Sequence, residues 1–221
     1  MRPDLGSRLR LVVITDRRLA APSNVRDIVT AALGAGAEAI QLRDKTATPR
    51  ELLDEARVLR TVTRGFGALL FVNDRLDVAL AAGADGVHLG PADIPVSAVR
   101  RVTPRGFVVG FSTDDPDLAV MAEEQGADYI GCGAVFGTAT KDVGDEAIGL
   151  EGLDRVARAV AIPVLGIGGV TPAGAARIAR DTGAAGTAVI GAVMASADPG
   201  GAVAALLAPF RDRKRSHRDR L

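Results

Sequence analysis

Two threonines and a lysine stand at Thr138, Thr140 and Lys141, just beyond the glycine-rich run Gly131-Cys132-Gly133-Ala134-Val135-Phe136-Gly137. Hydroxyls and an ammonium group at this spacing are donors suited to phosphate oxygens. The glycines let a backbone approach a ligand with no Cβ in the way. A solvated surface loop would look the same if the segment stood alone. Other polar residues at the ends of apolar runs make the phosphate reading the stronger one. Gln41, Arg43 and Lys45 fall at every second position, so in a strand they share one side, and an Arg turned inward needs an anionic partner. Asn73-Asp74 ends one apolar run, and His88-Leu89-Gly90 with Asp93 ends the next. Asp74 and Asp93 are placed to share Mg2+, which takes oxygen ligands and keeps waters and substrate phosphates in its shell. Ser112 can donate to an anion. Asn73 or Asp74, and Asp114 or Asp115, read equally well as caps of following helices. Gly168-Gly169 and Ile190-Gly191 offer backbone N–H groups to a phosphate. Two anion sites emerge, one of side chains (Arg43, Lys45, Lys141) and one of backbone.

These residues need a scaffold that brings them to one place. Eight short apolar runs read as strands: Leu11–Thr15, Ala39–Arg43, Leu69–Asn73, Gly86–Leu89, Val108–Phe111, Tyr129–Cys132, Val164–Ile167 and Thr187–Ile190. Each is followed by a helical pattern, near 24–35, 49–64, 75–83, 95–102, 115–125, 150–160, 172–181 and 200–210. Strict alternation predicts parallel strands joined by crossover helices. A repeat sharpens this. Ala35-Gly36-Ala37-Glu38, Ala82-Gly83-Ala84-Asp85, Gln125-Gly126-Ala127-Asp128 and Thr182-Gly183-Ala184-Ala185 each put a helix-ending glycine shortly before a strand, at spacings of 47, 43 and 57 residues. Four βαβα units predict a (β/α)8 barrel, a TIM barrel, as a single domain over 1–210. An open doubly wound sheet is the competitor, but after Gly166 and Gly168 the third glycine of a dinucleotide fingerprint would fall at Thr171. In a barrel the site lies at the C-terminal ends of the strands, where the polar residues above stand.

Composition narrows the partners. Lys+Arg and Asp+Glu balance at 27 each, so no overall field favours nucleic acid or a membrane surface. One cysteine and two histidines give neither a disulfide nor a zinc set, and a reducing cytoplasm is the expected home. No apolar run approaches the roughly 20 residues of a membrane span. Residues 211–221 read as a basic, disordered tail. Nothing in the sequence fixes whether the chain forms a homo-oligomer.

The ordered set Gln41-x-Arg43-x-Lys45, Asn73-Asp74, Gly86-Val87-His88-Leu89-Gly90 with Asp93, Gly110-x-Ser112, Phe136-x-Thr138-x-Thr140-Lys141 and Ile167-Gly168-Gly169 resembles thiamine phosphate synthase, from about Val12 to Met194. The resemblance implies a Mg2+-dependent barrel that joins 4-amino-5-hydroxymethyl-2-methylpyrimidine diphosphate to hydroxyethylthiazole phosphate, giving thiamine phosphate and pyrophosphate. It further implies that Arg43, Lys45, Asn73, Ser112 and Lys141 hold the diphosphate, with Arg43, Lys45, Ser112 and Lys141 carrying the chemistry. Asp74 and Asp93 would hold the metal, and Gln41 and His88 would contact the pyrimidine. Thr138 and Thr140 would serve the thiazole phosphate region, with Gly168, Gly169, Ile190 and Gly191 on the phosphate itself. The Gly and Asp content of residues 138–148 predicts a loop that closes over bound ligand, and Cys132 would be a wall residue.

The chain departs from that pattern at three positions. Pro91 replaces a common Gln, Gly191 a common Ser, and Asp114 a common His. The similar thiazole tautomerases rely on that His, so its absence argues against tautomerase activity. A non-catalytic binder of thiamine phosphate is the remaining alternative, and it would gain little from carboxylates arranged for a leaving group.

Overall fold

Strands that are apolar throughout must be covered on both faces, which a closed sheet wrapped by helices provides. A computed structural model describes residues 4–137 and 147–218, with backbone alone over 212–218. Its strands are β1 (Leu11–Ile14), β2 (Ala39–Leu42), β3 (Leu69–Asn73), β4 (Gly86–Leu89), β5 (Val108–Ser112), β6 (Tyr129–Cys132), β7 (Val164–Ile167) and β8 (Gly186–Val189). All pair in parallel with their sequence neighbours, and β8 closes on β1 through Leu11↔Thr187 and Val13↔Val189. The helices are α1 (Leu5–Arg8), α2 (Arg17–Ala20), α3 (Val25–Gly34), α4 (Pro49–Gly65), α5 (Leu76–Ala81), α6 (Val96–Val102), α7 (Pro116–Glu124), α8 (Gly149–Ala159), α9 (Pro172–Asp181), α10 (Gly191–Met194) and α11 (Pro199–Arg218). This is the (β/α)8 barrel expected from the alternation.

Period-two alternation sorts each strand into two cores. Val12, Ile14, Ala39, Leu69, Phe71, Val108, Tyr129, Leu165 and Ala188 fill the barrel, while Val13, Ile40, Leu70, Val72, Val87, Val109 and Ile130 meet the helices. The barrel's floor is α1, whose Leu5, with Leu9 just beyond it, joins the interior cluster. Sequence periodicity does not detect α1 or α2, because four residues are too few to show a period. Several helix starts carry side-chain caps: Thr48 forms a capping box with Glu51, and Asp115 and Thr171 cap helices that open with Pro116 and Pro172. The backbone stays helical to Arg218, past the expected start of the tail at 211.

Three of the four repeat glycines end their helices with positive φ, at 103° for Gly36, 63° for Gly83 and 101° for Gly126. Gly183 departs from this expectation. There α9 ends at Thr182 in extended backbone, whose hydroxyl donates to the Ile178 carbonyl, and Asp154 of α8 accepts from Gly183 N–H. The acidic residue of the repeat has its own task. Asp85 accepts from Leu70 N–H at 2.9 Å and pairs with Arg60 of α4 at 2.6 Å. Asp128 accepts from Val109 N–H at 2.8 Å and pairs with Arg100 of α6. Each carboxylate thus ties a helix to the floor end of a strand, far from the mouth.

Candidate active site at the barrel mouth

The mouth begins with a clasp between β1 and β2. Arg43 N–H donates to Thr15 Oγ1 at 2.9 Å, and that hydroxyl donates to the Arg43 carbonyl at 3.3 Å. Beyond it, Asp44 Oδ1 accepts from Thr46 N–H, Thr46 O–H and Ala47 N–H. Burial opposes the Asp44 charge, but these bonds and the Arg17 charge hold its carboxyl below the usual range. Arg17, on α2, lies 3.4 Å from Asp44 and 2.9 Å from Glu55 of α4. The loop carrying Arg43 and Lys45 is therefore fixed from behind by Thr15, Arg17 and Asp44. Sequence reasoning assigned none of these three to the site. Their only signal was position, since each lies in or beside the loops that follow β1 and β2. Among the described residues neither Arg43 nor Lys45 is taken up in an ion pair.

On the inner wall, Gln41 is 2% exposed, and its amide donates to Asn73 Oδ1 at a long 3.4 Å. One step on, Asp74 turns the chain out with φ 62°, the single non-glycine residue of positive φ among the described residues, and its N–H donates to the His88 carbonyl. Asp and Asn tolerate this region best among residues with a Cβ. Neither Asn73 nor Asp74 caps α5, whose N-cap is Arg75 without a side-chain bond. The Asp74 carboxyl instead shares a hydrogen bond with Asp93. Burial, then the Asp93 charge and that bond, push it up to about 6, while Lys45 and Arg43 pull it down. Asp93 is held in turn by Gly90 N–H, which donates to its Oδ2 at 2.6 Å. A carboxylate pair faced by two cations, with Asp74 reluctant to lose its proton, suits a small divalent ion, which would compete with that proton and keep open positions for ligand oxygens. Among the described residues no cluster of three or more metal-ligating side chains occurs.

On the next two strands, His88 Nε2 lies 2.8 Å from Ser112 Oγ, and His88 Nδ1 lies 2.9 Å from the Tyr129 hydroxyl. Asp115 caps α7, leaving Asp114 as the uncapped member of that pair. Cys132 is fully buried, and burial with the Asp114 charge pushes its thiol up to about 12, so it is a neutral wall group.

The far side of the mouth is backbone. Val135 N–H donates to the Ile167 carbonyl and Phe136 N–H to that of Gly168, so the loop after β6 is stitched to the loop after β7. Gly168 and Gly169 have φ 94° and 62°, and a Cβ on Gly169 would collide with Phe136 and the Gly137 carbonyl. Ile190 and Gly191 open α10 on the adjacent strand. Thr138, Thr140 and Lys141 lie outside the described residues, as does most of 138–148. The described candidates thus form two arcs of one rim, with side chains on β2 to β5 and backbone on β7 and β8.

Fold and rim together define a (β/α)8 barrel whose mouth combines cations, a carboxylate pair and glycine turns. A family model described as thiamine monophosphate synthase matches residues 11–193, and the chain belongs to that family. Thiamine-phosphate synthase of Roseiflexus castenholzii is 48% identical over 194 residues, spanning 88% of this chain and 85% of the relative. The enzyme of the same name from Pyrococcus furiosus is 45% identical over 196 residues, spanning 88% and 91%. The solved structure of thiamine phosphate pyrophosphorylase from Pyrococcus furiosus superposes with a TM-score of 0.85 at 42% identity, covering 95% of this chain and 98% of that one. The family's reaction is that of a transferase releasing pyrophosphate. Among the described residues no helix is long and apolar enough to cross a membrane.

Proposed function

We propose that this rim condenses the pyrimidine diphosphate with the thiazole phosphate, and that its residues divide the work by arc. The observation that supports it most is the Asp74–Asp93 pair facing Arg43 and Lys45. The reaction breaks the bond between the pyrimidine methylene and a diphosphate oxygen, with the electron pair leaving on pyrophosphate. The thiazole nitrogen lone pair then forms the new carbon–nitrogen bond. No protein nucleophile is needed, in keeping with a neutral, buried Cys132.

Arg43, Lys45, Asn73, Ser112 and Lys141 hold the diphosphate and stabilise the charge that grows on it. Asp74 and Asp93 hold Mg2+, which when bound neutralises part of that charge. Gln41 orients the pyrimidine, fixed by its bond to Asn73. His88 borders the same ring through its edge, since both ring nitrogens have protein partners. Thr138 and Thr140, with the turns at Gly168-Gly169 and Ile190-Gly191, place the thiazole phosphate so that its nitrogen meets the cation before water does.

Calorimetric titration with the pyrimidine diphosphate tests the division. Mg2+ should tighten binding to the unaltered protein and have little effect on Asp93→Asn. An equal Mg2+ effect in both would remove the carboxylate pair from the diphosphate site.

A further inference from the structure

Tyr129 is assigned no part above, yet it lies directly beneath the site. It projects from β6 into the barrel, 2% exposed, with its ring centroid 5.6 Å from that of Phe71 and 5.4 Å from that of His88. Its hydroxyl, His88 and Ser112 form one line through bonds of 2.9 and 2.8 Å. Two glycines make room for that line. A Cβ on Gly110 would come within 2.5 Å of His88 Nδ1 and closer still to Tyr129 Cζ, and one on Gly131 would crowd His88 Cε1 at 3.2 Å.

Burial fixes the direction of these bonds. It pushes the Tyr129 phenol up, with the Asp128 charge adding to the effect, so the oxygen keeps its proton. Among the described residues His88 is the phenol's hydrogen-bond partner, and a buried O–H without an acceptor is costly. The phenol therefore donates to Nδ1. A neutral imidazole accepting at Nδ1 carries its proton on Nε2 and donates it to Ser112 Oγ. The Ser112 proton then points away from the ring and is left for another acceptor.

We propose that Tyr129 is a positioning residue: it holds His88 as the Nε2–H tautomer so that Ser112 presents its hydroxyl proton to the diphosphate. The role rests on the assignment of Ser112 to the diphosphate. It extends the site one layer deeper, to a residue that touches no substrate.

The chain has two histidines, so long-range 1H–15N NMR on 15N-histidine protein reads the tautomer directly, with His217→Gln assigning the signals. The Nε2–H form is expected in the unaltered protein, and a mixture with the Nδ1–H form in Tyr129→Phe. In turnover, Tyr129→Phe should lower kcat about tenfold with KM for the thiazole phosphate unchanged, and should cost nothing further in a Ser112→Ala background. An Nδ1–H form in the unaltered protein, an unchanged tautomer in Tyr129→Phe, or a full tenfold loss in the Ser112→Ala background would each overturn the proposal. The tautomer is read without turnover, so failure of the diphosphate assignment is told apart from failure of the relay.

Discussion

The Asp74 and Asp93 carboxyls share a hydrogen bond across the loops that follow β3 and β4, and Asp74 is pushed from an ordinary 3.8 up to about 6. Below about pH 6, and without metal, Asp74 keeps a proton that Mg2+ must displace. Mg2+ affinity should therefore rise as pH rises toward about 6 and level off above it. Calorimetry at pH 5.5 in buffers of different ionisation enthalpy should detect proton release, and at pH 8 should detect almost none. Stability runs the other way. A raised folded-state value contributes stability that is full below 3.8 and lost as pH rises through about 6, so the metal-free protein should gain more Tm from Mg2+ at pH 8 than at pH 5.

Arg43 and Lys45 face this pair with no ion pair of their own among the described residues, so their charge is left for a ligand. Arg43→Ala should lower kcat by roughly 10^2-fold, in the range found when one donor to a developing charge is removed, with Tm little changed. Steady-state kinetics at saturating substrates checks it, and an unaltered kcat would take Arg43 out of the diphosphate set.

Asp44 touches no substrate in this scheme, yet it holds the loop on which both cations ride. Asp44→Ala should reduce kcat/KM for the pyrimidine diphosphate about tenfold while leaving KM for the thiazole phosphate alone. An equal effect on both substrates would mean that the mouth as a whole had shifted.

The floor of the barrel offers the converse case. Asp85→Ala removes an acceptor from Leu70 N–H and Arg60 together, which should cost about 1–3 kcal/mol. In a chain of this size that is a drop of roughly 2–12 °C in Tm. The kcat should stay within about twofold, because the mouth is built at the other end of the strands. Thermal melts beside kinetics separate the two readouts.

The strands were legible because each is buried on both faces and bounded by glycine or acidic residues. All eight lie within a residue or so of where their apolar runs place them. The placement of Arg43, Lys45 and Asp74 at the barrel mouth was legible from strand-end position alone. Thr15, Arg17 and Asp44 were not, since a threonine at a strand end, an arginine on a short helix and an aspartate in a loop carry no period, and their meaning arises only when β1 lies beside β2. In the sequence Tyr129 is only the first residue of an apolar run. Its link to His88 depends on a register in which Gly110 stands between them, and single-strand periodicity contains no cross-strand register. The acidic residue of the repeat was visible as a pattern, but its bond to the preceding strand was not.

The most direct measurement is pyrophosphate release by the purified protein from the pyrimidine diphosphate, with and without the thiazole phosphate and Mg2+. Release that requires both substrates and rises steeply with the metal is the expected result. No release, or release at the same rate without the thiazole phosphate, would contradict a rim that couples departure of the diphosphate to capture by the thiazole nitrogen.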